Sequence, residues 1–391
     1  MKKILIVNKS FALGGIQSSM INMANELSKY HEVHLYLYQP KGVMKERLDP
    51  KVKVLKSSPR FLALGMSFLE AMRSGNIRIM TFRFFATGWS RLFGNRLPIS
   101  LAISKQEKLC GYDLAIAYHH ENLKKVPNSG YVRFVDACVE AKTKAAWIHY
   151  DPASLSLDPE YNAPFYAKMD RIVCVSKALM HTFSERYPAL APKLDYCYNF
   201  LSFEAINEQA NLPQSPAYPK DSLALFSACR LNPEKAIPRA IEAMKECFWK
   251  HPNLVWYIAG EGPERAKIEE AIAKCGLQNR VVLLGNQKNP YPFIKNADLV
   301  LNVSYHEAAP MVFFESLFLG TPVFATRTSS AEEMLCHGEN AFLCANSKEG
   351  IALEFSNLLE HKEQIKTAKS NLKNTSITNE KSFLKMKELL G

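Results

Sequence analysis

The chain has 391 residues, of which 47% are hydrophobic and 22% are charged, and its formal net charge is +11 at pH 7. This composition excludes a disordered or fibrous chain and predicts a globular protein of about two to three domains. Nine cysteines without Cys-x-x-Cys spacing, and no stretch near the roughly 20 apolar residues of a membrane span, exclude a zinc ribbon and a spanning helix, so we expect a soluble or peripheral protein in a reducing compartment.

The first half begins with a predicted strand over Ile4–Val7, whose apolar run is too short for a signal peptide. A loop leads into an amphipathic helix over residues 16–30, and Glu32–Tyr38 alternates as a second strand. Residues 60–110 show no clear periodicity. Short apolar runs then predict three further strands, over Asp113–Tyr118, Ala145–His149 and Arg171–Val175.

In the second half, the ends of the predicted strands and helices are marked more clearly by turn residues. Residues 201–220 are polar and carry three prolines, which predicts a linker between domains. The strands predicted after it are Leu223–Ala228, Leu254–Ala259, Val281–Leu284, Asp298–Val303, Pro322–Ala325 and Ala341–Cys344. The helices predicted between them are Pro238–Lys250, Glu264–Cys275, Pro292–Asn296, Pro310–Leu319 and Ser330–His337.

Regular alternation of helices with wholly apolar strands indicates parallel sheets that helices cover on both faces. We therefore predict an α/β fold with two doubly wound Rossmann-like domains, residues 1–200 and 221–375, whose parallel sheets face a central cleft. Residues 376–391 are predicted to form a C-terminal helix that packs back on the first domain. In such sheets ligands bind outside the carboxyl ends of the strands.

Two cations and two glycines lie where predicted strands end. Arg230 and Lys235 follow Leu223–Ala228, and such a pair can clamp a diphosphate or can simply be solvated surface charges. Gly14 and Gly15 follow the first strand, where they allow a phosphate close to the backbone or only form a helix-entry turn. The Ala-Gly-Glu-Gly-Pro turn after Leu254–Ala259 is more typical of architecture than of chemistry.

Glu307 and Glu315 belong to the most informative segment. Pro310 fits the first position of a helix, and Gly320 fits its end. Because the helix is apolar nearly all round, we expect it to be buried, and a carboxylate at Glu315 then needs a partner. A ligand with phosphates on the first N–H groups of the helix would supply one, and a structural arginine or the backbone is the alternative.

Histidines end two strands of the first half. His149 closes Ala145–His149 and would face the same cleft, and His120 follows the preceding strand. A lone histidine is more often structural than catalytic, so His149 stays open between the two roles and His120 favours the structural one. No Gly-x-Gly-x-x-Gly motif, P-loop motif or metal-ligand spacing is present.

Taken together, these pieces resemble glycosyltransferase family 4 (glycosyl transferases group 1), a large retaining group with the two-domain GT-B fold. The resemblance spans nearly the whole chain and is strongest over residues 223–345, where the motifs occur in the family's order and spacing. It implies donor-binding residues Gly14, Gly15, Arg230, Lys235, Glu307, Ala309, Pro310, Met311, Val312 and Glu315, and catalytic residues His149 and Glu307.

The resemblance also implies individual roles. Arg230 and Lys235 would bind the donor diphosphate, Glu307 the hydroxyls of the transferred sugar, and Glu315 the ribose. His149 matches a first-domain histidine near the reaction centre. The implied reaction moves a hexose from a nucleotide sugar, with uridine the commonest base, to a glycan or lipid-linked acceptor in lipopolysaccharide, capsule or glycolipid synthesis, with retention, no cofactor and no divalent metal. A GT-B epimerase or phosphorylase is the alternative within this fold.

Three residues depart from the family's pattern. Ala308, Ala236 and Phe200 stand where glycine is usual, after Glu307, Lys235 and Asn199 respectively. The first two substitutions leave the loops possible but stiffer. The third bears on the alignment at the junction between the domains.

The positive charge is concentrated in the first half, with 28 Lys and Arg against 16 Asp and Glu in residues 1–200. Residues 51–108 carry 11 basic residues and two acidic ones, and aromatic residues interleave with arginines over residues 60–96. This pattern suits contact with an anionic membrane. The resemblance favours that contact, because the resembled enzymes often work at the inner leaflet, and it implies a cytoplasmic protein at the inner face of the cell membrane. A solvated face, or a non-catalytic protein that binds nucleic acid or another polyanion, is the alternative, although we expect no nucleic-acid partner.

Overall fold

The structure is a computed structural model that describes residues 1–121, 123–150 and 158–391. The chain divides into two compact units. Met1–Leu201 and Asn379–Gly391 form the first, called the N-terminal domain below, and Ser202–Thr378 form the second, the C-terminal domain. Both are α/β units built on one parallel sheet with doubly wound topology, which confirms the predicted fold class.

A seven-stranded parallel sheet forms the centre of the N-terminal domain. Its strands are β1 (Lys3–Ser10), β2 (Glu32–Gln39), β3 (Lys53–Leu55), β4 (Leu109–Ala117), β5 (Val139–Ile148), β6 (Arg171–Cys174) and β7 (Leu194–Tyr196). They lie in the order β3-β2-β1-β4-β5-β6-β7. The order reverses between β1 and β4, so the carboxyl ends of these two strands flank the place where ligands bind such sheets.

Helices cover this sheet, and four of them fill the region that shows no periodicity. The helices are α1 (Gly15–Ser28), α2 (Pro59–Gly65), α3 (Phe68–Arg73), α4 (Ile77–Phe93), α5 (Arg96–Ile103), α6 (Tyr131–Cys138), α7 (Pro159–Tyr166) and α8 (Lys177–Arg186). Local caps define α3 and α4, because Ser67 and Glu70 form a capping box and the Asn76 side chain accepts hydrogen bonds from the first turn of α4.

The C-terminal domain contains a six-stranded parallel sheet. Its strands are β8 (Leu223–Ala228), β9 (Leu254–Ala259), β10 (Val281–Gly285), β11 (Leu299–Asn302), β12 (Val323–Thr326) and β13 (Ala341–Cys344). They lie in the order β10-β9-β8-β11-β12-β13, with the reversal between β8 and β11. Each strand overlaps a predicted one, because helices on both faces require nearly continuous apolar runs such as the fully buried Leu254–Ala259.

The helices of the C-terminal domain include one in the segment predicted to be a linker. They are α9 (Phe203–Ala210), α10 (Ile237–Lys250), α11 (Arg265–Lys274), α12 (Tyr291–Asn296), α13 (Met311–Phe318), α14 (Ser329–Met334), α15 (Lys348–Glu360) and α16 (Glu363–Lys373). Helix α9 lies within residues 201–220 and packs on the domain, where the ring centroid of Phe203 lies 4.7 Å from that of Phe318.

The chain returns to the N-terminal domain through helix α17 (Glu380–Leu390). The Phe383 ring of α17 meets Phe200 edge-on, with ring centroids 5.2 Å apart. Lys385 pairs with Asp195 at 2.9 Å, and the Asn379 side chain donates to the Leu201 carbonyl. The Phe200 side chain therefore helps to anchor this helix.

The described helices include none that is both long and apolar enough to cross a bilayer. The nine cysteines, all within the described residues, form no disulfide.

Candidate functional site

Glu307, a few residues after β11, is the centre of a hydrogen-bonded network. Its Oε1 accepts hydrogen bonds from Lys235 Nζ at 2.6 Å and Ser304 Oγ at 2.7 Å. Asn302 Nδ2 donates to the same oxygen at 3.1 Å. All three donors use one oxygen, so they fix the carboxylate and leave Oε2 as the acceptor for a ligand hydroxyl.

Lys235 reaches Glu307 from the loop that follows β8. Lys235 is the last residue of a short 3-10 helix over Pro233–Lys235 in this loop. Burial alone would lower the pKa of Lys235, but the Glu307 carboxylate outweighs burial and raises it, so the ammonium stays charged at neutral pH. Sequence reasoning assigned Lys235 to the diphosphate and Glu307 to the sugar, and the structure joins them in an ion pair.

Arg230 lies in the same loop, at the exposed end of β8. The loop is held by the turn after β9, where the Leu231 N–H donates to the Glu261 carbonyl at 3.0 Å. A Cβ on Gly260 would lie 1.8 Å from the Cys229 carbonyl oxygen, and one on Gly262 would lie 2.4 Å from that of Leu231. The Ala-Gly-Glu-Gly-Pro turn therefore needs its glycines for close packing that positions the Arg230 loop.

Pro310 is the N-cap residue of α13, and the helix runs from Met311 to Phe318. The first two N–H groups of the helix, those of Met311 and Val312, have no intrahelical acceptor, so with the helix dipole they form an anion site beside Ala309 and Pro310. Gly320 ends the helix with φ at +79°, a left-handed conformation that suits glycine.

Glu315 on α13 differs from its expected environment. Four further side chains of the helix segment are only partly buried, and so is Glu315, so the expectation of burial on all sides was wrong. The partly buried side chains are Met311, Phe314, Phe318 and Leu319. Glu315 also has a partner within its own domain, because the buried Tyr291 hydroxyl donates to its Oε1 at 3.2 Å. This hydroxyl helps to orient the Glu315 carboxylate.

Gly14 and Gly15 lie at the start of α1 in the N-terminal domain. Gly14 is the N-cap residue and has extended backbone that any residue can adopt. A Cβ on Gly15 would meet no atom within 4 Å, so packing does not require glycine there. Glycine instead leaves the helix N-terminus open, which fits the predicted approach of a phosphate.

His149 follows β5 and is buried, with its ring centroid 4.6 Å from that of Tyr118. His120 follows β4 and is also buried, with its ring 5.0 Å from that of Tyr150. Burial, with a smaller effect of His119, lowers the pKa of His149 to about 3, and burial also holds the pKa of His120 well below its usual value. Both imidazoles are therefore neutral at physiological pH.

Sequence reasoning missed three residues of this geometry, namely Asn302, Ser304 and Tyr291. The first two precede Glu307 in the same strand and loop, and their polar side chains at a strand end were the available signal. Tyr291 precedes Glu315 by 24 residues and carries no local signal. Across the described residues, no group of three or more His, Cys, Asp and Glu side chains is placed to hold a metal ion.

Comparison with known proteins identifies the domain that carries Lys235, Glu307 and Glu315. Residues 208–375 match the sequence model for Glycosyl transferases group 1. The matched residues make up nearly all of the C-terminal domain, Ser202–Thr378. An uncharacterized glycosyltransferase of Methanocaldococcus jannaschii is 30% identical over 176 residues, which cover 44% of this chain and 43% of that protein.

Further likenesses concern a second curated relative and a solved structure that matches the whole fold. The lipopolysaccharide core biosynthesis glycosyltransferase LpsD of Rhizobium meliloti is 30% identical over 125 residues, 32% of this chain and 35% of that protein. The matches thus span less than half of these two curated relatives. Anabaena HepE, solved with UDP and glucose, superposes with a TM-score of 0.74 at 17% identity over 100% of this chain and 99% of HepE. This likeness confirms the predicted GT-B fold.

Proposed function

We propose that the protein is a retaining hexosyltransferase that uses a nucleotide sugar, with a UDP-sugar as the first donor to test. Its acceptor is a glycan or lipid-linked saccharide of the cell surface, as in lipopolysaccharide, capsule or glycolipid synthesis. The observation that carries the proposal is the Lys235–Glu307 network in the group 1 domain. UDP and glucose bound to HepE and the lipopolysaccharide role in the name of LpsD support the donor and the acceptor class.

The donor geometry follows from the charges of the C-terminal domain. Glu307 Oε2 accepts a hydroxyl of the transferred sugar, because Oε1 is occupied by Lys235, Ser304 and Asn302. Glu315, oriented by Tyr291, accepts the ribose hydroxyls. The diphosphate lies at the start of α13, where N–H groups and the Lys235 ammonium meet its charge.

Electrostatic stabilisation of the leaving group then drives the reaction. As the glycosidic bond breaks, negative charge grows on the departing diphosphate, and groups fixed before the reaction stabilise it without reorganisation. Lys235, Arg230 and the helix start supply this positive charge from the chain itself, and the proposal therefore includes turnover without a divalent metal. Retention follows from attack of the acceptor hydroxyl on the face that the diphosphate leaves.

Transfer assays test this function directly. Purified protein is incubated with UDP-, GDP- and ADP-hexoses, with and without saccharide acceptors and with a chelator, and nucleoside diphosphate release is measured. We expect release that depends on acceptor, and a loss of about 100-fold or more in Glu307→Gln. The control Glu246→Gln changes an exposed carboxylate on α10 and should keep activity. Donor conversion without acceptor would favour an epimerase, and cleavage by inorganic phosphate a phosphorylase.

We also propose that helices α3 and α4 contact an anionic membrane. Apolar side chains on them face solvent, with exposures of 69% for Phe84, 74% for Leu92 and 66% for Phe93. Ile77 and Leu69 are also exposed on these two helices. Large apolar side chains exposed side by side suit insertion into the headgroup boundary of a bilayer.

The charge around this surface favours anionic lipid. Arg73, Arg78 and Arg91 are exposed on the same helices, and Arg96 follows them on α5. Residues 59–103 contain a single acidic residue, Glu70. Its carboxylate accepts a hydrogen bond from the Ser67 backbone N–H in the capping box. Each arginine near an anionic surface contributes roughly 1 kcal/mol of attraction at moderate salt.

Liposome flotation tests the membrane contact. We expect the protein to float with vesicles that contain phosphatidylglycerol, and Phe84→Ser with Leu92→Ser to abolish flotation without loss of folding. The control is Leu353→Ser, which removes a leucine that is 65% exposed from the C-terminal domain. Absence of flotation at moderate salt would refute the contact, and tight salt-dependent binding to duplex DNA would favour the polyanion-binding alternative.

A further inference from the structure

The loop between β11 and Glu307 is held in place by hydrogen bonds to other parts of the C-terminal domain. The Tyr305 N–H donates to the Glu234 carbonyl at 2.8 Å. The Ser330 hydroxyl of α14 donates to the Glu307 carbonyl at 3.0 Å. Loops at strand ends are usually more mobile than the elements that they connect, so these contacts restrict where the Glu307 carboxylate can lie.

Arg239, in the first turn of α10, contacts the same loop through several atoms. Its Nη2 donates to the Val303 carbonyl at 2.8 Å and to Asn346 Oδ1 at 2.9 Å. Its Nη1 donates to the Asn346 carbonyl at 3.3 Å. The guanidinium carbon also lies 4.0 Å from the centroid of the Tyr305 ring, which is a close cation–π contact. A planar guanidinium can form the hydrogen bonds and the stacking contact together, which an ammonium group cannot.

Asn346, between β13 and α15, connects the arginine to the loop backbone. Its Nδ2 donates to the Tyr305 carbonyl at 2.9 Å, while its Oδ1 accepts from Arg239. One side-chain amide thus joins the arginine to the backbone of the residue whose ring the arginine contacts. Arg239, Tyr305 and Asn346 are called the Arg239 cluster below, and all three belong to the C-terminal domain.

The Arg239 cluster adjoins both chain segments that form the Lys235–Glu307 pair. Tyr305 precedes Glu307 in the loop after β11. The 3-10 helix that ends at Lys235 leads through Ala236 directly into α10, which carries Arg239. Contact between Arg239 and the loop therefore fixes the relative position of the two backbones from which the Lys235 and Glu307 side chains meet.

The hydrogen bonds of Arg239 are directed to protein acceptors. Both Nη atoms donate to the backbone or to Asn346, and Nε is buried without an acceptor among the described residues. Burial lowers the pKa of Arg239, but an arginine remains charged at physiological pH. Arg239 therefore acts through the loop, as a positioning residue.

We propose that the Arg239 cluster positions the Glu307 carboxylate against Lys235 and thereby sets the selectivity of the protein among hexose donors. The inference rests on the proposed function, in which Glu307 Oε2 accepts a sugar hydroxyl, and adds three positioning residues to it. A group that distinguishes hydroxyl configurations must be held to within about 0.5 Å. Loss of the cluster lets the loop move, so that a hydroxyl of the wrong configuration is rejected less strongly.

Hydrogen exchange tests the Arg239 cluster apart from activity. Backbone amide exchange of the full chain is followed by mass spectrometry in wild type, Arg239→Ala and Tyr305→Ala. We expect peptides that cover residues 303–309 to exchange about 5-fold faster or more in both variants, because the loop opens more often. Tyr305→Phe keeps the ring and should exchange like wild type. Unchanged exchange in both alanine variants would overturn the proposal.

Donor selectivity separates positioning from a general structural role. The kcat/KM values are measured for the nucleotide hexose that the wild type transfers fastest and for its C4 epimer, beginning with UDP-glucose and UDP-galactose. We expect their ratio to move towards one by about 5-fold in Arg239→Ala and Tyr305→Ala, and Tyr305→Phe to keep the wild-type ratio. Loss of folded protein alone lowers both values equally. An unchanged ratio in the alanine variants, or a wild type that does not distinguish the epimers, would overturn the proposal.

Arg280→Ala is the matched control. Arg280 Nη2 donates to the His251 carbonyl at 3.3 Å, and its guanidinium carbon lies 5.5 Å from the centroid of the Phe248 ring. Arg280 precedes β10, at the amino ends of the strands, so its variant should keep both the loop exchange rate and the donor ratio. Absence of transfer from any nucleotide hexose by the wild type, with faster exchange in Arg239→Ala, would refute the proposed function and support the positioning of the loop.

Discussion

Each domain places a glutamate shortly after the strand that neighbours its first strand, and the two glutamates are used differently. Glu121 follows β4, the neighbour of β1, and Glu307 follows β11, the neighbour of β8. These are equivalent topological positions, where the order of strands reverses and ligands of doubly wound sheets bind.

Glu121 is fully enclosed by protein donors. It is 0% exposed and pairs with Arg133 Nη2 at 2.9 Å. The Ser129 hydroxyl and the N–H groups of Gly130, Val132 and Arg133 also donate to its two oxygens. Glu121 thereby caps the N-terminus of α6 and leaves no acceptor for a ligand.

Glu307, by contrast, receives its three donors on one oxygen and keeps the other. The comparison teaches that position at the sheet edge does not by itself make a carboxylate functional. The distribution of protein donors over the two oxygens decides whether the carboxylate can bind a ligand. A carboxylate with donors on both oxygens stabilises the fold, whereas one with donors on a single oxygen is held in place and keeps an acceptor for a ligand.

The largest expected effect is on the N-terminal side of this comparison. Glu121→Ala leaves the Arg133 guanidinium buried without its carboxylate, and we expect the free energy of unfolding to fall by about 3–5 kcal/mol in urea titrations. UDP binding by the folded protein should not change. Glu140→Ala, at an exposed position of β5, is the control and should cost under about 0.5 kcal/mol. Equal stability of the two variants would contradict the structural role.

The pH dependence of Glu121 sharpens the same test. Burial raises its pKa, but Arg133 and the other donors outweigh burial and lower the pKa below its ordinary value of 4.5. A lowered pKa means that the stabilisation is fully present above the ordinary value and is lost as pH falls through the folded-state value. The stability gap between wild type and Glu121→Ala should therefore narrow in acid, and a gap that widens would contradict this account.

The second effect concerns activity in the C-terminal domain. Lys235→Ala removes the cation that both orients Glu307 and meets the diphosphate, and we expect transfer from the UDP-sugar to fall about 100-fold in steady-state assays. Its cost in stability should be smaller than that of Glu121→Ala, because Lys235 and Glu307 are partly open to solvent. Lys245→Ala on α10 is the matched control. A variant that lost stability but kept turnover would reverse the comparison between the two glutamates.

A smaller effect is expected at Glu315. Tyr291→Phe removes the hydroxyl that donates to Glu315, and we expect the Kd for UDP to rise about 5-fold, since one such hydrogen bond contributes about 1 kcal/mol. Isothermal titration calorimetry measures this change. Tyr218→Phe removes a hydroxyl bonded to the Phe293 carbonyl and should leave the Kd unchanged. Equal effects of the two variants would mean that Tyr291 acts through packing alone.

The smallest effect is at Ala236, between Lys235 and α10. Its φ is +52°, a left-handed conformation that costs an alanine energy. Ala236→Gly should therefore raise the free energy of unfolding by about 0.5–1 kcal/mol, after the entropic cost of glycine, as measured by thermal unfolding. Ala352→Gly, within α15, should change stability in the opposite direction. Destabilisation by both substitutions would contradict the strain at Ala236.

The sequence predicted the secondary-structure elements that are buried on both faces better than those with an exposed face. All six strands of the C-terminal sheet were predicted, because strands covered on both faces consist of apolar runs such as Leu254–Ala259. Strands β3 and β7 have only three residues and give no such run. Helices α2 to α5 were missed because apolar residues such as Phe84 and Leu92 lie on exposed faces and obscure the helical period.

The sequence points to candidate site residues, but it does not indicate which side chains they contact. Glu307, Glu315 and Lys235 stand out as charges at strand ends or in an apolar helix, and the order of their motifs indicates the family. Lys235 binds Glu307 across 72 residues of sequence, and Tyr291 binds Glu315 across 24. Such distant pairs arise from tertiary packing, on which local composition gives no information.

The return of the chain through α17 has a consequence for biosynthesis. Phe200 and Cys197 belong to the N-terminal domain, and the helix that covers them follows the entire C-terminal domain in the chain. During translation the C-terminal domain can fold as soon as it leaves the ribosome. The N-terminal domain, by contrast, keeps an apolar surface exposed to solvent until residues 379–391 have been synthesised.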